Sequence, residues 1–178
     1  MINIMNCNLL VTTFKYRESD AFDELSRLLD MLGDKEPSIE ITSVSGIILA
    51  NTRLDPLQIV ENCRQMVRNE PWRFRYILRI IPLEKNCSTD IIEIHNVVKQ
   101  LCQKIGQHET FMVMIEKRHT KLSSKEIIST VTSDIDMKVN LDNPNWIILI
   151  QIVDRLAGVS ILRSNQIFSS VKEKISLQ

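Results

Sequence analysis

The feature that most constrains the fold is the order in which strand-like and helix-like segments alternate in the first half of the chain. Short, β-branched apolar runs predict strands, and apolar residues spaced three or four apart predict helices. In chain order the segments are a strand at NLLVTTF (8–14), a helix carrying Phe22, Leu25, Leu29 and Leu32, strands at SIEITSV and GIILANT, a helix from Asp55-Pro56, and a strand at RFRYILRIIPLE (73–84). This βαββαβ order is that of a ferredoxin-like fold, a sheet with two helices on one face.

Local signals set the ends of the two helices. Gly33 follows the last apolar residue of the first helix and is predicted to end it. Asp55 is a favourable N-cap residue, and Pro56 suits the first helical position. The second helix is expected to stop before Pro71. Ser45-Gly46 separates two strand-like runs, which predicts a β-hairpin.

The second half predicts a further α/β unit. A helix is expected after Ser88-Thr89-Asp90, with Gly106 closing it. The remaining segments are a strand TFMVMIEK (110–117), a helix carrying Ile127, Ile128, Val131 and Ile135, strands KVNL (138–141), WIILIQIV (146–153) and AGVSILR (157–163), and a final amphipathic piece with Ile167, Val171 and Ile175. We therefore predict an α/β (α+β) protein of two domains, with residues 1–85 forming the ferredoxin-like domain and residues 86–178 the second domain.

The glycine content argues against a cofactor-binding loop. The chain has only four glycines, Gly33, Gly46, Gly106 and Gly158. Phosphate-binding and dinucleotide-binding loops need several glycines within a few residues, so that the backbone can approach the phosphates. A G-x-S-x-G nucleophile motif is also missing. We expect no catalysis by this chain alone and no cofactor.

The cysteines and the N-terminus bear on metal binding and location. The four cysteines, Cys7, Cys63, Cys87 and Cys102, lack metal-motif spacing, and we predict reduced thiols and no metal. MINIMNCNLL lacks a basic and then apolar leader pattern, so we predict a cytoplasmic protein without a signal peptide. The run WIILIQIV is shorter than the roughly 20 residues of a membrane-spanning helix, so no membrane partner is expected.

Positive charge is concentrated after the strand TFMVMIEK. The chain has 22 Lys plus Arg and 22 Asp plus Glu, yet the stretch 117–125 contains four basic residues and no acidic one, namely Lys117, Arg118, Lys121 and Lys125. Ser123 and Glu126 fit a capping box, so a helix is expected to begin here. Helix N-termini present free N–H groups and bind phosphate. His119 and Thr120 add hydrogen-bonding groups to this candidate anion site.

A second basic cluster lies in the predicted strand RFRYILRI. Side chains alternate along a strand, so Arg73, Arg75 and Arg79 are expected on one face with Ile77, opposite Phe74, Tyr76, Leu78 and Ile80. This face is either an ordinary solvated surface or one that meets an anion. Arg64 and Arg68 of the preceding helix extend it in the second reading. Trp72 is expected either to stack on a base or to be buried between the two halves.

Several of these segments together resemble the THUMP family. They are NLLVTTF, SVSGIILANT–LDP, RFRYILRIIPLE, EKRHTKLSSKEII and NPNWIILIQIV followed by GVSIL, and they span nearly the whole chain. More closely, the chain is similar to small THUMP proteins that act as tRNA-binding partners of an RNA cytidine acetyltransferase. The resemblance implies that residues 86–178 are a THUMP domain following the ferredoxin-like domain.

The resemblance also implies a function and the residues that perform it. It implies binding of tRNA at the acceptor stem and 3′ end, and presentation of that tRNA to a separate acetyltransferase that forms N4-acetylcytidine in the D-arm. The adaptor itself is not catalytic. The RNA-binding residues that it implies or that lie in the same loop are Lys117, Arg118, His119, Thr120, Lys121, Ser123, Ser124 and Lys125, together with Arg73, Arg75 and Arg79.

Two other readings remain open. The chain could be the RNA-binding part of another tRNA-modifying enzyme, such as a thiouridine synthase or methyltransferase, which carries a cofactor-binding domain after the THUMP domain. A gene product longer than these 178 residues would favour that reading. The third reading is a ferredoxin-like module that binds a small ligand or another protein, which needs no basic loop.

Overall fold

The structure is a computed structural model and describes residues 6–177. Residues 1–5, on which part of the leader prediction rests, lie outside this range. The chain divides into two units, the first formed by Met1–Leu83 with Asn165–Gln178 and the second by Glu84–Ser164. This division differs from the predicted domains 1–85 and 86–178 at the C-terminus, because the last residues join the first unit.

The elements of the described residues are, in chain order, β1 (Leu9–Thr12), α1 (Glu18–Leu32), β2 (Ser38–Ile41), β3 (Ile47–Asn51), α2 (Pro56–Asn69), β4 (Arg79–Pro82), β5 (Lys85–Ser88), α3 (Ile91–Leu101), β6 (Thr110–Arg118), α4 (Ser124–Val131), β7 (Lys138–Val139), β8 (Trp146–Val153), β9 (Leu156–Leu162), β10 (Phe168–Ser169) and α5 (Ser170–Ile175). Short 3₁₀ turns lie at Pro71–Arg73, Cys102–Lys104 and Ser164–Gln166.

The first unit has the predicted ferredoxin-like topology. Its sheet has the order β10-β4-β1-β3-β2, and every neighbouring pair is antiparallel. The apolar faces of α1 and α2 pack with β1, β3 and β4 into one core. The local helix signals are confirmed, since Gly33 ends α1 with a left-handed φ of 108° and Asp55 accepts the N–H of Leu57 at 2.9 Å. The predicted fold class is therefore confirmed.

The prediction of one long strand over residues 73–84 is wrong for its first six residues. Only Arg79–Pro82 form a strand, whereas Pro71–Arg73 form a 3₁₀ turn and residues 74–78 are irregular. The cause is Glu24 of α1, whose buried carboxylate accepts the backbone N–H groups of Arg75, Tyr76 and Ile77 at 3.0–3.1 Å. These N–H groups are bonded to a side chain, so they are not available to a neighbouring strand.

The carbonyl groups of this irregular segment are satisfied by the C-terminal residues. Lys174 Nζ donates to the carbonyl of Phe74 at 2.6 Å, and Ser170 Oγ donates to that of Ile77 at 2.8 Å. Phe168 of β10 is fully buried and its ring lies 4.9 Å from the ring of Phe74. The predicted amphipathic C-terminal piece is thus a strand and a helix that complete the first unit.

The second unit is a five-stranded sheet with two helices packed on it. The strand order is β5-β9-β8-β6-β7, in which β6 pairs in parallel with both β8 and β7 while the other pairs are antiparallel. The sequence did not indicate β5, which forms along β9. α3 gives way to a 3₁₀ turn before Gly106, and α4 ends at Val131, so Ile135 lies beyond it.

Gly46, in the β2–β3 hairpin, is expected to tolerate alanine poorly. Its φ is 78°, and an added Cβ would lie 2.9 Å from the carbonyl oxygen of Thr13. We expect Gly46→Ala to lower the free energy of unfolding by about 2–4 kcal/mol, from the left-handed backbone and the clash together. Gly33→Ala is the matched control, because Gly33 is also left-handed but faces open space. It should cost only about 1–2 kcal/mol. Urea denaturation measures both, and equal losses would contradict the clash.

Candidate nucleic-acid interface

Three chain segments meet at the end of the second sheet where β6 and β8 finish. The two strands are parallel, with Arg118 of β6 opposite Val153 of β8. The N–H of Asp154 donates to the carbonyl of Arg118 at 3.0 Å, which holds the β8–β9 turn against the end of β6. The loop after β6 then leads into α4 within five residues. Parallel pairing therefore gathers the loop, the turn and the start of α4 at one edge.

The start of α4 has the cap that the sequence predicted. Ser123 is the N-cap residue, and its Oγ accepts the N–H of Glu126 at 3.4 Å. Thr120 shapes the loop before it, because its Oγ1 accepts the N–H of Leu122 at 3.3 Å. Ser124 is the first residue of the helix. The first turn of α4 carries further N–H groups that no intrahelical carbonyl can satisfy, and these suit an anion.

The exposed cations of this edge differ in how firmly they are held. Lys117 Nζ donates to the carbonyl of Leu122 at 2.5 Å. Lys121 and Lys125 are exposed and have no hydrogen-bond or ion-pair partner within residues 6–177. His119 is also exposed and adopts a left-handed φ of 54°. The two lysines are therefore available to an external anion.

Arg118 is engaged within the protein. Its guanidinium donates to Gln151 Oε1 and to Glu116 Oε2, both at 3.0 Å, and its side chain is only 24% exposed. The ion pair with Glu116 offsets its charge. Arg118 therefore holds the ends of β6 and β8 together, and the sequence pattern could not distinguish it from its exposed neighbours.

The structure adds Arg155, which the sequence analysis did not single out. Arg155 lies in the β8–β9 turn, is exposed, and has no partner among the described residues. Its position beside the loop follows from the parallel register of β6 and β8, which sequence alone does not reveal. We refer to Lys117, His119, Lys121, Lys125 and Arg155, with the first turn of α4, as the basic edge.

Acidic side chains mark one boundary of the basic edge. Ser88 at the end of β5 lies opposite Leu156, so the start of α3 belongs to the same end of the sheet. Asp90 caps α3 by accepting the N–H groups of Ile92 and Glu93. The carboxylate of Glu93 accepts the N–H and hydroxyl of Ser88. Asp90 thus occupies two N–H donors at the start of α3, and the two carboxylates place negative charge there, which makes this helix end less suited to an anion than the start of α4.

The arginines of residues 64–79 belong to the first unit and do not form one strand face. Arg73 pairs with Glu70, while Arg75 is exposed in the irregular segment. Arg79 is in β4 and makes interactions within the protein. Arg64 donates to Glu173 and Glu61 and to the carbonyl of Asn165, so it does not extend a basic surface. The predicted common face is wrong because Glu24 diverts the chain.

Two other residue predictions have clear outcomes. Trp72 is 62% exposed, so of the two alternatives for this residue, burial is wrong. All four cysteines are buried, and the described residues 6–177 contain no disulfide bond between them. Burial raises the pKa of the Cys63 thiol to about 12 and the pKa of the Cys87 and Cys102 thiols to about 11. Such thiols carry almost no thiolate at neutral pH and are poor nucleophiles.

Residues 6–177 contain no group of three or more His, Cys, Asp or Glu side chains suited to a metal ion. Among the helices of that range, none has the length and apolar character needed to cross a bilayer.

Solved structures of low sequence identity share the fold. PH1313 from Pyrococcus horikoshii Ot3 matches with a TM-score of 0.60 and 16% identity over 88% of this chain and 55% of its own. TrmN from Thermus thermophilus matches with 0.59 and 13%, over 86% and 44%. SMU.472, described as a putative methyltransferase complexed with SAH, matches with 0.53 and 14%, over 88% and 41%. The chain thus spans about half the length of these proteins.

The comparison with protein families identifies the second unit. Among curated proteins, no match to the chain was found. A family model described as THUMP domain matches residues 88–162, a range that runs from the end of β5 to the end of β9 and contains the whole basic edge. The resemblance to the THUMP family is confirmed for this part of the chain. Residues 88–162 are a THUMP domain, which this chain carries together with a ferredoxin-like unit.

Proposed function

We propose that this protein binds tRNA through the basic edge of its THUMP domain and serves a tRNA-modification system. The observation that carries the proposal lies inside the THUMP domain: Lys121 and Lys125 flank the capped N-terminus of α4, Arg155 lies in the β8–β9 turn beside the end of β6, and none of the three side chains has a partner within residues 6–177. Duplex RNA is recognised mainly through its phosphates, 2′-hydroxyls and A-form shape. Unpaired cations beside a helix N-terminus suit phosphate contacts of this kind.

The finer proposal is that the protein is a non-catalytic adaptor. It presents the acceptor stem and 3′ end of tRNA to a separate RNA cytidine acetyltransferase, which forms N4-acetylcytidine in the D-arm. In support stands the resemblance of EKRHTKLSSKEII to the adaptor proteins of that system. The burial of all four thiols agrees with a role in binding rather than in nucleophilic chemistry.

A second candidate is the RNA-binding part of a larger tRNA-modifying enzyme. Its support is that the similar structures are about twice as long as this chain, and that SMU.472 is described as a putative methyltransferase. In this case the basic edge would contact RNA in the same way, while a further domain would carry the chemistry. The two candidates therefore share the RNA contact and differ in the source of catalysis.

Binding to tRNA is tested by its salt dependence. If the basic edge makes four phosphate contacts, the affinity should fall about a hundredfold between about 50 and 200 mM salt, because each contact releases counterions from the RNA. Filter binding or fluorescence anisotropy with whole tRNA measures this slope. Failure of the protein to bind tRNA at low salt would contradict both candidates.

Reconstitution separates the adaptor from the enzyme module. The protein is combined with a purified RNA cytidine acetyltransferase, tRNA, acetyl-CoA and ATP, and N4-acetylcytidine is quantified by mass spectrometry. We expect acetylation of tRNA only when the protein is present. The control variant Lys138→Ala should support acetylation as the wild type does, because Lys138 is in β7, at the opposite end of β6 from the basic edge. Acetylation that proceeds equally without the protein would exclude the adaptor role.

A further inference from the structure

We propose that a groove in the first unit binds one unpaired nucleotide of RNA, with the base stacked on Trp72 and the phosphates facing Arg27 and Arg75. This inference rests on the proposed RNA-binding function but assigns a separate site, outside the THUMP domain. The groove has a volume of about 340 Å³. Ligand pockets in proteins span about 300–1,000 Å³, so this volume suits a ligand of one nucleotide.

The walls of the groove come from three parts of the first unit. α1 contributes Arg27 and Met31, α2 contributes Met66, and the segment after α2 contributes Trp72 and Arg75. Trp72 is 62% exposed, which leaves most of a large aromatic surface in contact with water. Aromatic surface of this kind is a platform on which unpaired bases stack, and stacking accepts any base because each has a π-face.

Two cations of the groove lack partners. Within residues 6–177 the guanidinium groups of Arg27 and Arg75 make no ion pair or hydrogen bond. The neighbouring Arg73 is different, because it pairs with Glu70 and donates to Met31 Sδ at 3.5 Å. The groove thus offers free positive charge beside an aromatic wall. A ligand that is planar and anionic complements both features, and a nucleotide is such a ligand.

The charge of Glu24 does not oppose this assignment. Glu24 also lines the groove, but its carboxylate accepts the backbone N–H groups of Arg75, Tyr76 and Ile77. These three bonds stabilise the negative charge within the wall. Lys174 and Ser170 hold the carbonyl groups on the same segment. The groove is therefore formed before any ligand arrives, which lowers the entropic cost of binding.

Single-residue variants and a short single-stranded RNA test the site. Trp72→Ala should weaken binding of the oligonucleotide about fivefold or more, which is the lower end of the value of base–aromatic stacking. Trp72→Phe keeps an aromatic face and should bind within about twofold of the wild type. The double variant Arg27→Ala/Arg75→Ala should weaken binding and reduce the salt slope by about 1.4, because each phosphate of a single strand contributes about 0.7.

Arg68→Ala is the matched control, because Arg68 is exposed on α2 but does not line the groove. It should bind the oligonucleotide as the wild type does. Circular dichroism and urea denaturation of each variant establish that the fold is intact. The inference is overturned if Trp72→Ala and the double arginine variant both bind the oligonucleotide with unchanged affinity. In that case the groove binds a protein partner or no ligand.

Variants of the basic edge separate this inference from the proposed function. In one outcome, Lys121→Ala/Lys125→Ala/Arg155→Ala loses binding to whole tRNA, while the Trp72 and arginine variants bind the oligonucleotide as the wild type does. This outcome would support the proposed function and overturn the nucleotide site in the groove. The opposite pattern would support the groove and contradict the basic edge. A wild-type protein that binds neither RNA would overturn both.

Discussion

Replacing Glu24 by alanine is expected to lower the free energy of unfolding of the first unit by about 3–5 kcal/mol. The substitution removes the acceptor of three backbone N–H groups, those of Arg75, Tyr76 and Ile77, all in a segment without strand pairing. A buried donor left without a partner costs about 1–3 kcal/mol. Water can reach two of these amides in part, so the sum is less than three full penalties.

Urea denaturation measures this loss, and hydrogen exchange at the amides of residues 75–77 localises it. Asp23→Ala is the matched control, because Asp23 lies next to Glu24 on α1, is exposed, and has no partner within residues 6–177. It removes the same charge and should change stability by less than about 0.5 kcal/mol. Glu24→Gln keeps one acceptor oxygen and should give an intermediate loss. A loss below about 1 kcal/mol in Glu24→Ala would contradict the assigned role.

The variant Lys121→Ala/Lys125→Ala/Arg155→Ala should weaken tRNA binding about tenfold to hundredfold. Each of these exposed cations is taken to contribute about 0.5–1 kcal/mol to a phosphate contact. The slope of log affinity against log salt should fall by about 2.7, because each duplex phosphate contributes about 0.9. The loss should be similar for all tRNAs, since phosphate contacts carry no sequence information.

Stability should hardly change in this triple variant, because the three side chains are exposed and make no contacts with partners in the described chain. Lys138→Ala is a control for the triple variant, because it removes one positive charge at the opposite end of β6 and should leave tRNA affinity unchanged. Arg118→Ala should behave differently from both. It breaks the bonds to Gln151 and Glu116, so it should reduce stability as well as binding. Unchanged tRNA affinity in a folded triple variant would exclude the basic edge as the RNA contact.

The features that the sequence predicted correctly are those encoded by neighbouring residues. Asp55 with Pro56 starts α2, Gly33 ends α1, and Ser123 caps α4 through contacts within a few positions. Strands β8 and β9 were also predicted, because both segments are strongly apolar, and they pair as antiparallel neighbours. Such signals act through local geometry and need no knowledge of the rest of the chain.

The features that the sequence missed depend on distant partners. The segment RFRYIL alternates like a strand, but Glu24, about 50 residues away in the chain, captures its N–H groups. β5 has little strand propensity and forms because the edge of β9 is available. Arg118 and Lys121 have similar sequence surroundings, yet Gln151 engages only Arg118. Arg155 joins the candidate site through the parallel register of β6 with β8. Each of these depends on tertiary pairing.

The C-terminal strand and helix also affect the order in which the chain can fold during synthesis. Residues 84–164 are contiguous and form their unit without later residues, whereas the first unit needs β10 and α5 from beyond residue 164. Domains usually fold in the order in which they leave the ribosome. Here the segment around Phe74 begins with its carbonyl groups unsatisfied and is completed only when Ser170 and Lys174 have been made. The THUMP domain can therefore reach its final structure before the unit that precedes it in the sequence.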